Sequence, residues 1–260
     1  MNKEVYLPLR VLLLGITGVI LAGGEGKRFR PYTEIIPKPM IPIGWPEKPV
    51  LEYIVEWMVK HGIKDIVLLV NYKWRYIANY FGDGSRYGAR IRYCIDDEKY
   101  TNTGGALLKA YREGLLDETA FIWYGDILAP VPIKEIVGFH EETGADAVLV
   151  ITDRYKVPVG IAKLDEENNV VEMHEKPELS IHATIGILSL RTRILGEAEK
   201  SLGTRFDIMA ELIPYMIRNG WKVKAYIYEG PWYDVGSLER YKKIDVNEIP
   251  ELFGLRRGCS

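Results

Sequence analysis

The chain has 260 residues, enough for one large α/β domain or two small ones, with 47% hydrophobic and 27% charged side chains, as in an ordinary globular protein. Its 34 basic and 36 acidic side chains give a net charge of −2, which excludes a broadly basic nucleic-acid-coating surface, so any cationic site has to be local. Only Cys94 and Cys259 occur, far apart and without metal-ligand spacing; neither a disulfide framework nor a zinc site is expected, and a reducing, cytoplasmic setting is the natural reading.

At the N-terminus, Lys3 and Arg10 ahead of VLLLGITGVILA have the layout of a signal peptide. Cleavage near Ala22 would remove the strand that leads into a glycine-rich turn, and the run is too short to span a bilayer. Residues 18–22 are therefore read as the first core strand and residues 1–17 as an extension, with no membrane segment. After a Pro-rich loop, Leu51, Ile54, Val55, Met58 and Val59 recur at helical spacing up to Gly62. A continuous apolar strand at 66–70 precedes an aromatic-rich helix over 74–81. The GDGSRYG turn cluster leads into Ile91, Tyr93 and Ile95, which alternate as in a strand.

Helix 105–114, strand 120–124, helix 133–142 and strand 147–152 complete an alternation of β with α, which predicts a Rossmann-like, mostly parallel sheet with helices on both faces. From Val159 the texture changes: 160–164, 170–174 and 183–190 read as strands separated by charged turns, hence an antiparallel portion. A helix over 207–219 capped by Asp207, a strand over 221–228 and a helix over 237–246 capped by Ser237 close the pattern. Without repeats or linkers, one α/β domain is expected over 18–250, with 251–260 as a tail.

The richest stretch is LAGGEGKRFRPYTEIIPKPMIPIGWPEKPVLEY, from Leu21 to Tyr53. Gly23, Gly24 and Gly26 follow a strand, where free backbone N–H groups form an anion-binding concavity, and Arg28 and Lys38 place two cations beside it. A P-loop is excluded because Gly26 and Lys27 are followed by Arg28, and a dinucleotide fingerprint because Phe29 stands at its third glycine. The stretch resembles the opening signature of the sugar-1-phosphate nucleotidylyltransferases: a Gly-Gly-x-Gly-x-Arg turn, Pro31 and Thr33, Pro37 to Met40, then Pro49 with Leu51 to Tyr53. Family members begin only a residue or two before this strand, so residues 1–17 depart from the pattern. Many bifunctional relatives append a hexapeptide-repeat β-helix, which is absent from this sequence and points to a short form.

From position alone Asp126, after the apolar strand 121–124, is either a turn cap or a metal ligand at the carboxyl end of a strand. The resemblance implies the second role, with Asp234 of WYDVG as its partner for Mg²⁺, which takes its other ligands from phosphates and water. Tyr124 stands where the family has Asn. Glu175 and Lys176 read by themselves as a solvated surface pair; the resemblance implies that Glu175 bonds sugar hydroxyls and Lys176 the sugar phosphate, with Gly160 and Thr184 as further sugar contacts. Thr184 replaces an Asn, which changes one contact. EKYTNTGGA resembles the loop that approaches the nucleobase, with Asn102 for its first glycine; read alone it is a helix N-terminus capped by Thr103. This loop leans toward the guanylyl, uridylyl or adenylyl branches.

The implied nucleotide contacts are thus Leu21, Ala22, Gly23, Gly24, Gly26, Thr103 and Gly104, and the implied catalytic set is Arg28, Lys38, Asp126 and Asp234. The expected partners are an NTP and a sugar 1-phosphate, with mannose 1-phosphate and GTP as the lead and glucose 1-phosphate with UTP or dTTP as the second pairing; a homo-oligomer stays open. A non-catalytic nucleotide-sugar-binding subunit of the same fold, or an enzyme acting on a non-sugar phosphate, are the alternatives. His61, His140, His174 and His182 show no ligand spacing, and no nucleophile-elbow motif appears.

Overall fold

The apolar runs of the sequence become strands of one sheet in the computed structural model, which describes residues 15–157 and 159–254. Most of the expected 1–17 extension, as well as Cys259 and residues 255–260 of the expected tail, lie outside the described residues. Apart from a two-residue antiparallel pair, Pro42–Ile43 with Lys48–Pro49, the strands in chain order are β1 (Ile16–Leu21), β2 (Asp65–Val70), β3 (Arg90–Ile95), β4 (Thr119–Tyr124), β5 (Ile127–Leu128), β6 (Ala147–Lys156), β7 (Ile161–Leu164), β8 (Val170–His174), β9 (Glu178–Arg191), β10 (Val223–Ile227) and β11 (Tyr233–Asp234). Seven of them form the central sheet in the order β10-β6-β9-β4-β1-β2-β3. Only β9 runs against its neighbours, pairing antiparallel with β4 and β6, while the other adjacent pairs are parallel. This is the mostly parallel, mixed sheet expected from the β/α alternation. The antiparallel character after Val159 is also present, in β9 and in the separate hairpin of β7 with β8.

Alternation along the strands divides the interior into two layers. Ile20, Ile66, Leu68, Phe121 and Trp123 face one cluster, and Val19, Val67, Leu69, Ala120 and Ile122 face the other. Helices α1 (Val50–Lys60), α2 (Trp74–Phe81) and α4 (Ile133–Thr143) cover the first, and α3 (Asn102–Arg112) and α5 (Arg193–Leu202) the second. Gly18 sits where β1 meets α1: a Cβ there would lie 2.8 Å from the Met58 sulfur, so the close approach of helix to sheet needs the missing side chain.

Helix α5 has no counterpart among the elements expected from sequence. Its buried stripe, Ile194, Leu195 and Ala198, is regular, but Gly196 interrupts it where the helix passes the Tyr111 ring of α3. Asp207 does cap the next helix, accepting from the amides of Met209 and Ala210. That helix opens as a π-turn over Ile208–Leu212 before α6 (Ile213–Arg218), whose Pro214 lacks the amide a regular ladder would use. The helix expected over 237–246 is only α7 (Leu238–Tyr241), capped by Ser237; the Asp245 side chain then turns the chain by accepting from the Asn247 amide. A further short helix, α8 (Glu248–Leu252), brings Phe253 onto Tyr53 and Trp57 with ring centroids 5.3 Å apart in both pairs, so the packed core runs past residue 250. No helix among the described residues is long and apolar enough to cross a membrane.

Candidate active site

Where β1 ends, the chain turns out of the sheet through the three glycines. The Gly125 amide donates to Leu21 O at 2.9 Å, and a Cβ on Gly125 would lie 2.7 Å from that same oxygen, so the approach of the β4 end to the β1 end requires glycine. Gly26 adopts φ +64°, and a Cβ there would meet Thr33 Cγ2 at 2.8 Å and Lys38 Cβ at 2.9 Å. Thr33 donates to Gly26 O at 3.0 Å, and Phe29 is buried beneath the turn. The loop is thereby folded back on itself, carrying Lys38 over its own glycines. The space around Gly24 is open.

This geometry leaves a cleft of about 290 Å³ at the carboxyl ends of β1, β2 and β4. Leu21, Ala22, Gly23, Gly24, Gly26, Lys38, Thr103 and Asp126 all line it, together with Leu69, Asp96, Asn102 and Tyr124. Lys38 Nζ donates to Asp126 Oδ2 in a short ion pair at its rim.

A two-residue ladder brings the second carboxylate to the first: β11 pairs with β5, Asp234 opposite Ile127, and the Val235 amide donates to Asp126 O at 2.8 Å. Asp234 Oδ2 accepts from Arg240 on α7, whereas Oδ1 is buried with no hydrogen-bond partner among the described residues. A Cβ on Gly236 would meet Asp234 Oδ1 at 2.3 Å and Arg28 Nη2 at 3.3 Å. Only glycine at this position lets the Arg28 guanidinium and the Asp234 carboxylate share the space. Arg28, Lys38, Asp126 and Asp234, spread over most of the chain, are thus linked through one framework. Two carboxylates with an orphaned buried oxygen suit a hard divalent cation, which takes oxygen ligands. No cluster of three or more His, Cys, Asp or Glu side chains occurs among the described residues, so phosphate oxygens and water would complete such a site.

The remaining sequence-derived residues hold other roles or positions. Gly104 is buried behind the cleft wall; its amide donates to Phe206 O at 2.9 Å, and a Cβ would overlap the Phe206 ring at 2.2 Å. Packing against Phe206 accounts for this glycine. Thr103 is not the cap of α3, which begins one residue earlier: its hydroxyl donates to Asp207 Oδ2 at 2.7 Å and accepts from the Ile208 amide at 2.9 Å. Asn102 holds φ +64°, a left-handed conformation that Asn tolerates better than most side chains, which explains its substitution for glycine. Gly160, Glu175, Lys176 and Thr184 are exposed and lie outside the glycine cleft. Glu175 and Lys176 pair with each other at 3.1 Å, and a Cβ on Gly160 would come within 3.0 Å of Glu175 Oε2. Lys176 also helps, after Lys243, to hold the exposed Glu239 carboxyl of α7 below its ordinary value.

Two residues gain meaning only from the structure. Tyr124 packs its ring base against Gly186, and burial, followed by the Asp207 carboxylate, pushes its phenol up to about 12. Asp96 follows β3, with Oδ2 beside Gly23 and Oδ1 buried without a partner; burial raises its carboxyl to about 6 against the opposing pull of Lys109 and Asn71. Nothing in the spacing of IDDEKY distinguishes Asp96 from the adjacent solvated Asp97; the distinction comes from the strand end.

Residues 17–249 match the family model described as nucleotidyl transferase. The chain is 29% identical over 239 residues to a UTP–glucose-1-phosphate uridylyltransferase of Synechocystis sp., covering 86% of this chain and 61% of that protein. It is 30% identical over 226 residues to the D-glycero-alpha-D-manno-heptose 1-phosphate guanylyltransferase of Aneurinibacillus thermoaerophilus, covering 86% of this chain and 95% of that one. The chain spans about three fifths of the length of several curated relatives. The fold is similar to that of HddC from Yersinia pseudotuberculosis, solved in complex with GMP-PN, with a TM-score of 0.66, 24% identity, and coverage of 87% and 96% of the two chains.

Proposed function

This chain belongs to the nucleotidyl transferase family, and from that premise we propose that it joins an NTP to a sugar 1-phosphate, releasing diphosphate. The observation that carries the reading is the shared framework of Lys38 with Asp126 and Arg28 with Asp234 beside the glycine loop. An oxygen of the sugar phosphate attacks the α-phosphorus of the NTP; the bond from that phosphorus to the bridging oxygen breaks, and diphosphate leaves with its electron pair. The attacking oxygen is already anionic, so no general base is needed. The barrier comes from bringing two polyanions together, and positioning and charge neutralisation lower it.

The glycine-loop amides and Lys38 hold the triphosphate, and Arg28 meets charge developing around the α-phosphorus. Asp126 and Asp234 would hold Mg²⁺, which when bound supplies positive charge between the two substrates. Glu175 and Lys176 take the sugar and its phosphate. The lead pairing is mannose 1-phosphate with GTP, supported by guanylyltransferases among the relatives; glucose 1-phosphate with UTP or dTTP is second, supported by the uridylyltransferase. The reaction belongs in the cytoplasm, where nucleoside triphosphates are made.

Diphosphate release from a matrix of five NTPs against several sugar 1-phosphates tests the reading. Release with at least one pair, abolished by EDTA and restored by Mg²⁺, is expected. Nucleotide-sugar binding without release under every pairing would identify the non-catalytic subunit instead.

A further inference from the structure

Asp234 stands between two arginines from opposite ends of the chain, and only one of them holds it. Arg240 Nη1 donates to Oδ2 in an ion pair whose side chains are 41% and 26% exposed. Arg28 approaches from another side: its Nη2 and Asp234 Oδ1 lie 3.3 and 2.3 Å from one point, the position of a Gly236 Cβ. The two do not bond, because Oδ1 is buried and has no hydrogen-bond partner among the described residues. A carboxylate sheltered from water draws whatever cation can reach it. The state of the site therefore turns on which guanidinium Asp234 keeps.

The packing of α7 sets Arg240 in that place. Ser237 Oγ accepts from the Arg240 amide at 3.3 Å, which fixes the backbone just beyond Gly236. On the next residue, the Tyr241 hydroxyl donates to Pro42 O at 2.7 Å, and its ring meets Phe29 edge-on with centroids 6.0 Å apart. Phe29 is buried and directly follows Arg28. One ring contact thus ties the helix carrying Arg240 to the turn carrying Arg28. Arg28 itself is exposed on the short turn Lys27–Phe29, with room to move onto Asp234 if Arg240 were absent.

We propose that Arg240 is a positioning residue: it holds Asp234 by Oδ2, so that Oδ1 stays open for a divalent cation and Arg28 stays free for phosphate oxygens. This rests on the nucleotidyl-transfer reading for the roles of Asp234 and Arg28. Two cations of one type are thereby divided at a single carboxylate, one fixed to it and the other kept available. Removing Arg240 leaves the carboxylate without its partner, and Arg28 takes the vacated role. The site then loses an open oxygen and a free guanidinium together.

Mn²⁺ binding to the protein without substrates, followed by electron paramagnetic resonance, tests this in a double-mutant cycle, with circular dichroism and Tm to verify folding. Arg240→Met should weaken Mn²⁺ binding by about tenfold to a hundredfold, the loss typical when the partner of a ligating group is removed. Arg28→Ala alone should change the affinity by no more than about threefold, because an exposed cation acts there through screening solvent. In the Arg240→Met background the same Arg28→Ala change should recover most of the lost affinity, and this difference between backgrounds is the coupling. Arg240→Lys should bind Mn²⁺ nearly as wild type does, since the ion pair uses the single nitrogen Nη1. If Arg240→Met does not fold, Arg240→Gln, shorter and uncharged, takes its place in the cycle.

Equal effects of Arg28→Ala in both backgrounds, or undiminished Mn²⁺ binding in the folded Arg240 variant, overturn the proposal. So does a raised KM for either substrate with Mn²⁺ affinity unchanged, which would make Arg240 a direct substrate contact. Wild-type protein that binds no Mn²⁺ overturns it together with the metal role of Asp234. Coupling without diphosphate release under any substrate pairing retains Arg240 and removes the reaction; release without coupling does the reverse.

Discussion

The two halves of the site are built differently. Around the glycine loop the charged groups are packed into place: the Lys38 and Asp126 side chains are only 14% and 23% exposed, and glycines 26, 125 and 236 permit contacts that a Cβ would block. Just after the β7–β8 hairpin, Lys176 and Glu175 are 51% and 64% exposed and held mainly by each other. An exposed pair of this kind contributes about 0–1 kcal/mol and sets no fixed geometry. Under the proposed function, the nucleotide half would be organised before substrate arrives, whereas the sugar half would gain order from its ligand. Preorganised groups affect the chemical step; ordering on binding affects affinity.

Arg28→Ala probes the rigid half most severely. With a developing-charge contact at the α-phosphorus removed, kcat should fall by about a hundredfold or more, equivalent to about 3 kcal/mol. Circular dichroism and Tm should barely change, because the residue is exposed. Near-normal turnover in the folded variant would remove Arg28 from the transition state. Gly104→Ala reports on packing behind the same half. Its Cβ would enter the Phe206 ring at 2.2 Å, costing about 1–3 kcal/mol of stability and about 2–4 °C of Tm per kcal/mol. If Gly104 served the nucleotide directly, KM for the NTP would rise while Tm stayed constant.

Much of the rigid half was legible in the sequence because its glycines and cations occur within one contiguous stretch and depend on local backbone geometry. The pairing of Asp126 with Asp234 was legible only through resemblance, since the β5–β11 ladder that joins them is two residues long on each side. Thr103 looked like a cap because hydroxyls at helix starts often are; a tertiary partner, Asp207, takes its hydroxyl instead. Helix α5 went unread because Gly196, placed to pass Tyr111, weakens the local helical signal. Asp96 could not be separated from Asp97 by residue type; its distinguishing property is burial beside Gly23, a consequence of sheet order.

Lys176→Ala should sharpen the contrast from the other side. KM for the sugar 1-phosphate is expected to rise about tenfold, from loss of a charge-assisted contact, with KM for the NTP and Tm unchanged. A fall in kcat at saturating sugar phosphate would instead assign the hairpin to the chemical step and break the division between the halves.

The smallest effect belongs to the ligand-free protein and comes from Asp96. Its folded carboxyl titrates at about 6, above the ordinary value of 3.8, because burial disfavours the charge and the Asp97 carboxylate adds to this, while Lys109 and Asn71 act in the opposite direction. The folded state therefore binds the proton more tightly than the unfolded chain does. The stabilising contribution is fully present below about pH 4 and is lost as pH rises through about 6. After allowance for solvent screening at a group bordering the cleft, the difference is about 1–2 kcal/mol. Asp96→Asn, which carries no charge at any pH, should be more stable than wild type at pH 7.5 and should lose this margin by pH 4.5. Urea titrations of both proteins at the two pH values measure it. A margin independent of pH would mean that the Asp96 carboxyl titrates alike in the folded and unfolded protein, so that burial beside Gly23 does not disfavour its charge.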